Sequence, residues 1–184
     1  YERYQNWDLN SDQVNAAIYM FQGDVYQGLK AETLTIDEID FTQKNLRILS
    51  GLYGMLKPLD LIFPYRLEMS TKLQTKKAKN LYDFWGEKIR RVLVSEMRSD
   101  EVLINLASNE YSKVLRLNDF PNPLITPIFK DYKNGKLKVI SFFAKKARGE
   151  MCNYIIKNKI TNINNLKGFS NVDYKFSDEN DKGE

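Results

Sequence analysis

Apolar and polar positions along the chain follow two periods, and the switches between them mark the predicted elements. Val14, Ile18 and Phe21 recur at helical spacing behind Ser11, which reads as an N-cap, and Gly23 ends the run. "GDVYQGL" (residues 23–29) reads as a loop. Thr35 and Glu38 form a T-x-x-E capping box ahead of Ile39, Leu46 and Leu49, predicting a helix that runs into Ser50 and Gly51. Leu81, Trp85, Ile89, Val92 and Leu93 predict a third helix ending near Met97. The pattern then shortens. "VLINLAS" (residues 102–108) reads as a buried strand, with Ser108 or Asn109 capping a helical turn through Val114 and Leu115. "PLITPIFKD" (residues 123–131) is strand-like, and Pro127 assigns it an edge or a bulge. Asn134-Gly135 in "KNGK" is the strongest short hairpin signal, and "KLKVISFFA" (residues 136–144) is the return strand. A last helix over about residues 145–159 has Ala147, Met151, Tyr154 and Ile155 as its apolar stripe. The expectation is α+β: a single compact unit over residues 1–176, a mixed sheet with a β-hairpin packed by helices, then a frayed polar tail at 177–184.

One stretch resists this pattern. "SGLYGMLKPLDLIFPYRLEMSTKL" (residues 50–73) has two glycines three apart, then two prolines, with Arg66 and Glu68 among apolar residues. A helix, a glycine hairpin and a second helix can offer backbone amides to a nucleic-acid phosphate. Hairpins of that kind usually carry Gly-x-Gly, and here Gly51 and Gly54 stand in Gly-x-x-Gly. A tight bend explains the string equally well. If the passage after Pro64 is extended, Arg66 and Glu68 share a side, so they pair with each other or Arg66 holds a phosphate.

Composition removes whole classes of chemistry. With no histidine and one cysteine, Cys152, the chain has no Ser-His-Asp or Cys-His catalysis and no His- or multi-Cys-ligated metal site. A single cysteine makes no internal disulfide, which fits a reducing cytoplasm. No long apolar run predicts a membrane span. The start has no initiator Met and no signal pattern, which reads as an absent N-terminal segment. The net charge of +4 is unevenly spread. Residues 1–50 hold eight acidic and four basic side chains, whereas residues 130–160 hold nine basic and two acidic. A field this one-sided favours polyanions, although a lysine-rich solvated surface gives the same count.

Within the basic run, "SFFAKKARGEM" (residues 141–151) places Lys145, Lys146 and Arg148 in the first turn of the expected helix. Cations there oppose the helix dipole, and an anion on the free amides relieves both. The bland alternative is a helix that starts later, with the lysines in a loop. "NLASNEYSKVL" (residues 105–115) puts Ser108, Asn109 and Glu110 at a strand end, where polar groups bind ligands or merely cap a helix. Tyr82, Phe84 and Trp85 offer either base stacking or core packing, and their helical apolar spacing favours the core; Tyr26, Tyr111 and Tyr154 read the same way.

Five passages together resemble the YaaA family of bacterial peroxide-stress proteins: "FQGDVYQGLKAET", "LRILSGLYGMLKPLDLIFPYRLEMSTKL", "LYDFWG", "INLASNEYSKV" and "KNGKLKVISFFAKKARGEMCNYII". The resemblance covers about residues 13–176. Family members begin with a strand carrying "SPAKTLD" that is absent here, so the sequence resembles an N-terminally shortened member. The resemblance implies a cytoplasmic protein that helps bacteria survive hydrogen peroxide by lowering unincorporated iron. It also implies a basic cleft, a helix-hairpin-helix-like element and DNA binding, with no cofactor and no membrane. Carried onto this sequence, it marks Gly51 and Gly54, Lys57 and Arg66, and Lys145, Lys146 and Arg148 as DNA- or phosphate-binding, with no catalytic residue to carry over. One alternative is an enzyme on a nucleotide or nucleic acid, with Glu68, Asn109 or Glu110 moving a proton in a pocket that also holds Arg66, Ser108 and Lys146. An iron-binding protein using Glu68, Glu110 or Cys152 is weaker, since no ligand cluster is evident.

Overall fold

The computed structural model describes residues 13–171 and 174–177; the Ser11 cap and the tail from residue 178 lie outside them. The first expected helix is mostly replaced. Strand β1 (Asn15–Ala16) leads into a single turn, α1 (Ala17–Met20). The reason is tertiary: β1 pairs antiparallel with β4 (Leu61–Ile62), and the Ala17 and Ile18 amides donate to Asp60 O (2.9 Å) and Pro58 O (3.0 Å).

The expected loop at residues 23–29 is also corrected. It forms helix α2 (Asp24–Leu29), with Asp24 in its first turn and Lys30 ending it in the left-handed region. A glycine inside a helix costs about 1 kcal/mol relative to alanine. Gly28 offsets that through contact with the long helix α7 (Ser141–Lys157). A Cβ on Gly28 would lie 2.2 Å from Lys146 O, and one on Gly149 would lie 1.8 Å from Val25 O. The two helix backbones touch through this glycine pair, a tertiary gain that no local propensity anticipates.

Helix α3 (Ile36–Asn45) starts on the expected capping box: Thr35 Oγ1 accepts from Glu38 N, and Glu38 Oε2 accepts from Thr35 N (2.7 Å). It stops at Asn45 rather than continuing to Ser50. Arg47 closes its end, donating from Nη1 to Lys44 O (3.2 Å) and Leu46 O (2.8 Å) while Nε reaches Glu96 (2.7 Å). The chain then forms a β-hairpin, β2 (Ile48–Ser50) and β3 (Gly54–Leu56), joined by Gly51, Leu52 and Tyr53. Strands, not helices, therefore flank the paired glycines, and the expected helix-hairpin-helix is a helix followed by a strand hairpin.

The third expected helix is divided into α4 (Leu81–Trp85) and α5 (Lys88–Glu96), because Gly86 turns the chain at φ 47°. Strand β5 (Leu103–Ile104) pairs in parallel with β6 (Leu124–Ile125), flanking the one-turn helix α6 (Asn109–Ser112). Hairpin β7 (Asp131–Lys133) and β8 (Lys136–Lys138) forms where Asn-Gly predicts it, with Asn134 and Gly135 at φ 53° and 72°. The return strand ends at Lys138, and "SFFA" becomes the first turn of α7. Ala144, Ala147 and Met151 are all buried at helical spacing, and that outweighs the β-like look of the run.

The fold is mixed helix and strand, as expected, but the strands do not join into one mixed sheet. Among the described residues they form four two-stranded sheets, three antiparallel and one parallel. Helix α7 organises much of the interior. Ala144, Ala147 and Met151 pack with Phe129, Leu166 and Phe169, while Cys152 and Ile156 pack with Ile18, Leu29 and Ala31. A separate cluster gathers Met69, Leu81, Ile89, Leu93, Val114 and Leu115. Among the described residues no helix is long and apolar enough to cross a membrane.

Candidate nucleic-acid interface

The β2–β3 turn is shut in. A Cβ on Gly51 would lie 2.3 Å from Leu67 O, and one on Gly54, at φ 80°, would lie 2.8 Å from the Trp85 ring. Trp85 Nε1 donates to Gly51 O (3.0 Å), and Ser50 Oγ shares a 2.5 Å hydrogen bond with Tyr65 Oη. Gly51 and Gly54 are buried, so they serve close packing between the turn, the 63–80 loop and α4. Their amides do not form an open phosphate seat.

Beyond that turn, Lys57 Nζ lies 3.6 Å from Glu96. Arg66 and Glu68 pair at 3.2 Å, and both are exposed. The Glu68 amide and then Arg66 hold the Glu68 carboxyl below the usual glutamate range. Glu110 ties two segments together. Its Oε1 accepts from Ser70 N (3.1 Å) and Ser70 Oγ (2.7 Å), and its carbonyl accepts from Tyr82 Oη (2.8 Å). Burial, with Tyr65, Glu110 and Glu68 nearby, pushes the Tyr111 hydroxyl up to about 12. Glu68 and Glu110 thus approach one tyrosine. Ser108 is the N-cap of α6 without a side-chain cap bond, and Asn109 begins that helix, exposed. Cavities of about 420 and 470 Å³ are lined elsewhere, one by Tyr154, Asn158 and Asn165, the other by Tyr19, Phe21 and Gln22. Neither is lined by Arg66, Glu68, Ser108, Asn109, Glu110 or Lys146.

The basic run divides in two. On α7, Lys145 lies 3.8 Å from Asp24 and Lys146 lies 3.8 Å from Glu150. Lys157 reaches Glu38 at 3.0 Å and Lys159 reaches Asp37 at 3.9 Å. Three of those acids come from the acidic first fifty residues, so folding cancels part of the asymmetry seen along the chain. Because α7 begins at Ser141, Lys145 and Lys146 stand in its second turn, past the free amides. The expected first-turn phosphate seat is corrected accordingly. Arg148 is half-buried, burial lowers its pKa, and it has no ion-pair partner among the described residues. On the hairpin side, Lys130, Lys133, Lys136 and Lys138 are exposed and likewise have no acidic partner among the described residues. The nearby Asp131 accepts from Tyr174 Oη (2.7 Å).

The sequence counted these four lysines but did not single them out, although the Asn-Gly signal already placed them on one hairpin. Unpaired positive charge therefore remains on this hairpin and at Arg148, as it does on the exposed Lys72, Lys76, Lys77 and Lys79 of the 63–80 loop. Cys152 is buried in an apolar cluster that pushes its thiol up to about 12, which disfavours the thiolate that would attack peroxide. Among the described residues no three His, Cys, Asp or Glu side chains gather as a metal site requires.

Comparison with known proteins agrees on one relationship. Residues 1–180 match the family described as "Peroxide stress protein YaaA". A UPF0246 protein of Shewanella sp. (strain ANA-3) is 51% identical over 181 residues, covering 96% of this chain and 70% of the relative. A UPF0246 protein of Aliivibrio fischeri (strain MJ11) is 52% identical over 178 residues, covering 95% of this chain and 69% of the relative.

Proposed function

The chain belongs to the peroxide stress protein YaaA family, and from that premise we propose that it is a cytoplasmic DNA-binding protein of the bacterial response to hydrogen peroxide, protecting DNA and lowering unincorporated iron. The observation that carries the DNA reading is the set of five cations, Lys130, Lys133, Lys136, Lys138 and Arg148, without acidic partners among the described residues. Such charges attract phosphates and release the counterions condensed on them. Lys145 and Lys146 add exposed cations on α7; their half-buried acidic partners at 3.8 Å weaken their pull without removing it. Lys57 and Arg66 add charge that is already partly balanced by Glu96 and Glu68.

Protection is exerted at the DNA in this reading. A buried, protonated Cys152 and the lack of any histidine give no support to peroxide reduction or direct iron chelation by these residues. The test is duplex binding by fluorescence anisotropy across a salt series. Binding should weaken linearly on a log–log plot. A Lys133→Ala/Lys136→Ala/Lys138→Ala variant should lower the slope by about 0.9 for each phosphate no longer neutralised. A variant that folds and binds with an unchanged slope overturns the assignment. Stoichiometric iron uptake by the purified chain would overturn the indirect route to iron.

A further inference from the structure

The β7–β8 hairpin has a second property that charge does not explain. Tyr132 and Leu137 are directly opposed and so share one face, while Lys133 pairs with Lys136 and Asp131 with Lys138 on the other. Both faces are open. Tyr132 is 78% exposed and Leu137 50%, and the chain continues through Val139 at 53%, Phe142 at 59% and Phe143 at 49%. Three aromatic rings and two aliphatic side chains within twelve residues thus meet solvent beside four unpaired lysines. Water-exposed aromatic clusters of this kind are uncommon on surfaces with no partner.

The hairpin is held at its base and free at its tip. Asp131 takes the Tyr174 hydroxyl, and Phe129 stacks edge-on with Tyr174 (5.3 Å) and Phe169 (6.1 Å) in the core. At the tip, a Cβ built on Gly135 meets no heavy atom within 4 Å.

We propose that this hairpin and the first turn of α7 bind unpaired bases of DNA, with Tyr132, Phe142 and Phe143 stacking on the bases and Lys130, Lys133, Lys136 and Lys138 following the phosphates. The inference rests on the DNA-binding reading and narrows it to DNA with single-stranded or distorted segments. Duplex DNA hides its base faces and offers such rings nothing, whereas a single strand presents a π-face at every nucleotide with a phosphate beside it. Charge complementarity favours a polyanionic occupant: Lys130, Lys133, Lys136 and Lys138 have no acidic partner among the described residues and flank the ring-bearing positions along the same narrow two-stranded ribbon.

The test measures binding of the whole chain to oligo(dT) and to a duplex of equal length, at one salt concentration. The chain should prefer oligo(dT). Tyr132→Ala/Phe142→Ala should weaken oligo(dT) binding by roughly tenfold for each ring removed, change duplex binding by less than about threefold, and leave the melting curve unchanged. Tyr132→Phe should keep wild-type affinity, because stacking needs the ring and not the hydroxyl. Ultraviolet crosslinks to oligo(dT) should map to residues 130–146. Wild-type binding to duplex but not to oligo(dT), equal losses on both, or crosslinks only elsewhere would overturn this inference and leave the DNA reading standing. Binding to neither nucleic acid would overturn both. Self-association abolished by Tyr132→Ala/Phe142→Ala would reassign the surface to contacts between copies and overturn the inference.

Discussion

Among the described residues, two glycine-turned hairpins of three residues per strand have opposite fates. In β2–β3, Gly51 and Gly54 are pressed against Leu67 and Trp85, and the neighbouring Ser50 and Tyr65 hydroxyls and Trp85 indole are all hydrogen-bonded. In β7–β8, a Cβ on Gly135 would meet nothing within 4 Å, and every strand residue except the half-buried Asp131 is exposed. The difference teaches that a glycine pattern has two physical meanings. At Gly51 it removes a side chain so that backbones can touch. At Gly135, as at Gly54, it supplies a positive φ. The first hairpin is a packing joint and the second is a surface arm.

The largest expected effect follows directly. Gly51→Ala drives a methyl into Leu67 O at 2.3 Å and should destabilise the protein by about 3 kcal/mol, the upper end of overpacking. Gly135→Ala meets open space and should cost only about 1 kcal/mol of left-handed backbone strain. Urea denaturation of the two variants measures both; equal losses would erase the distinction.

Binding sharpens the contrast from the other side. Removing Lys133, Lys136 and Lys138 should leave the urea midpoint unchanged and lower the salt slope of DNA binding by about two to three units. Lys145→Ala/Lys146→Ala should lower it by about one unit, because Asp24 and Glu150 already compete for those cations. A larger loss from the α7 pair would move the centre of the interface onto that helix.

Trp85→Phe keeps most of the ring that fills the space over Gly54 but removes the donor to Gly51 O, and should cost about 1 kcal/mol with no change in DNA binding. The smallest effect lies outside both hairpins. The Thr35 amide and then Lys157 hold the Glu38 carboxyl below its ordinary pKa. A lowered folded pKa adds stability that is complete above the ordinary glutamate range and fades as pH falls through the lowered value. Glu38→Gln should therefore be slightly less stable at neutral pH, and its difference from wild type should shrink in acid. Melting temperatures across pH would show this, and a gap that widens in acid would contradict the pairing.

The legible parts of the sequence were those whose causes are local. The Thr35–Glu38 capping box and the Asn134-Gly135 turn each satisfy their own backbone within a few residues, so their strings carry the answer. The helix at Asp24–Leu29 was hidden because Gly28 makes sense only against Gly149, more than a hundred residues away. The candidate site divided the same way. The basic run was visible as a count, but which lysines stay unpaired depends on Asp24, Asp37 and Glu38 arriving from the other end of the chain. Composition by itself determined the lack of histidine chemistry and the excess of positive charge. Tertiary structure decided where that charge remains uncompensated and which hairpin meets solvent, because pairing and burial depend on neighbours that the fold, not the sequence order, brings together.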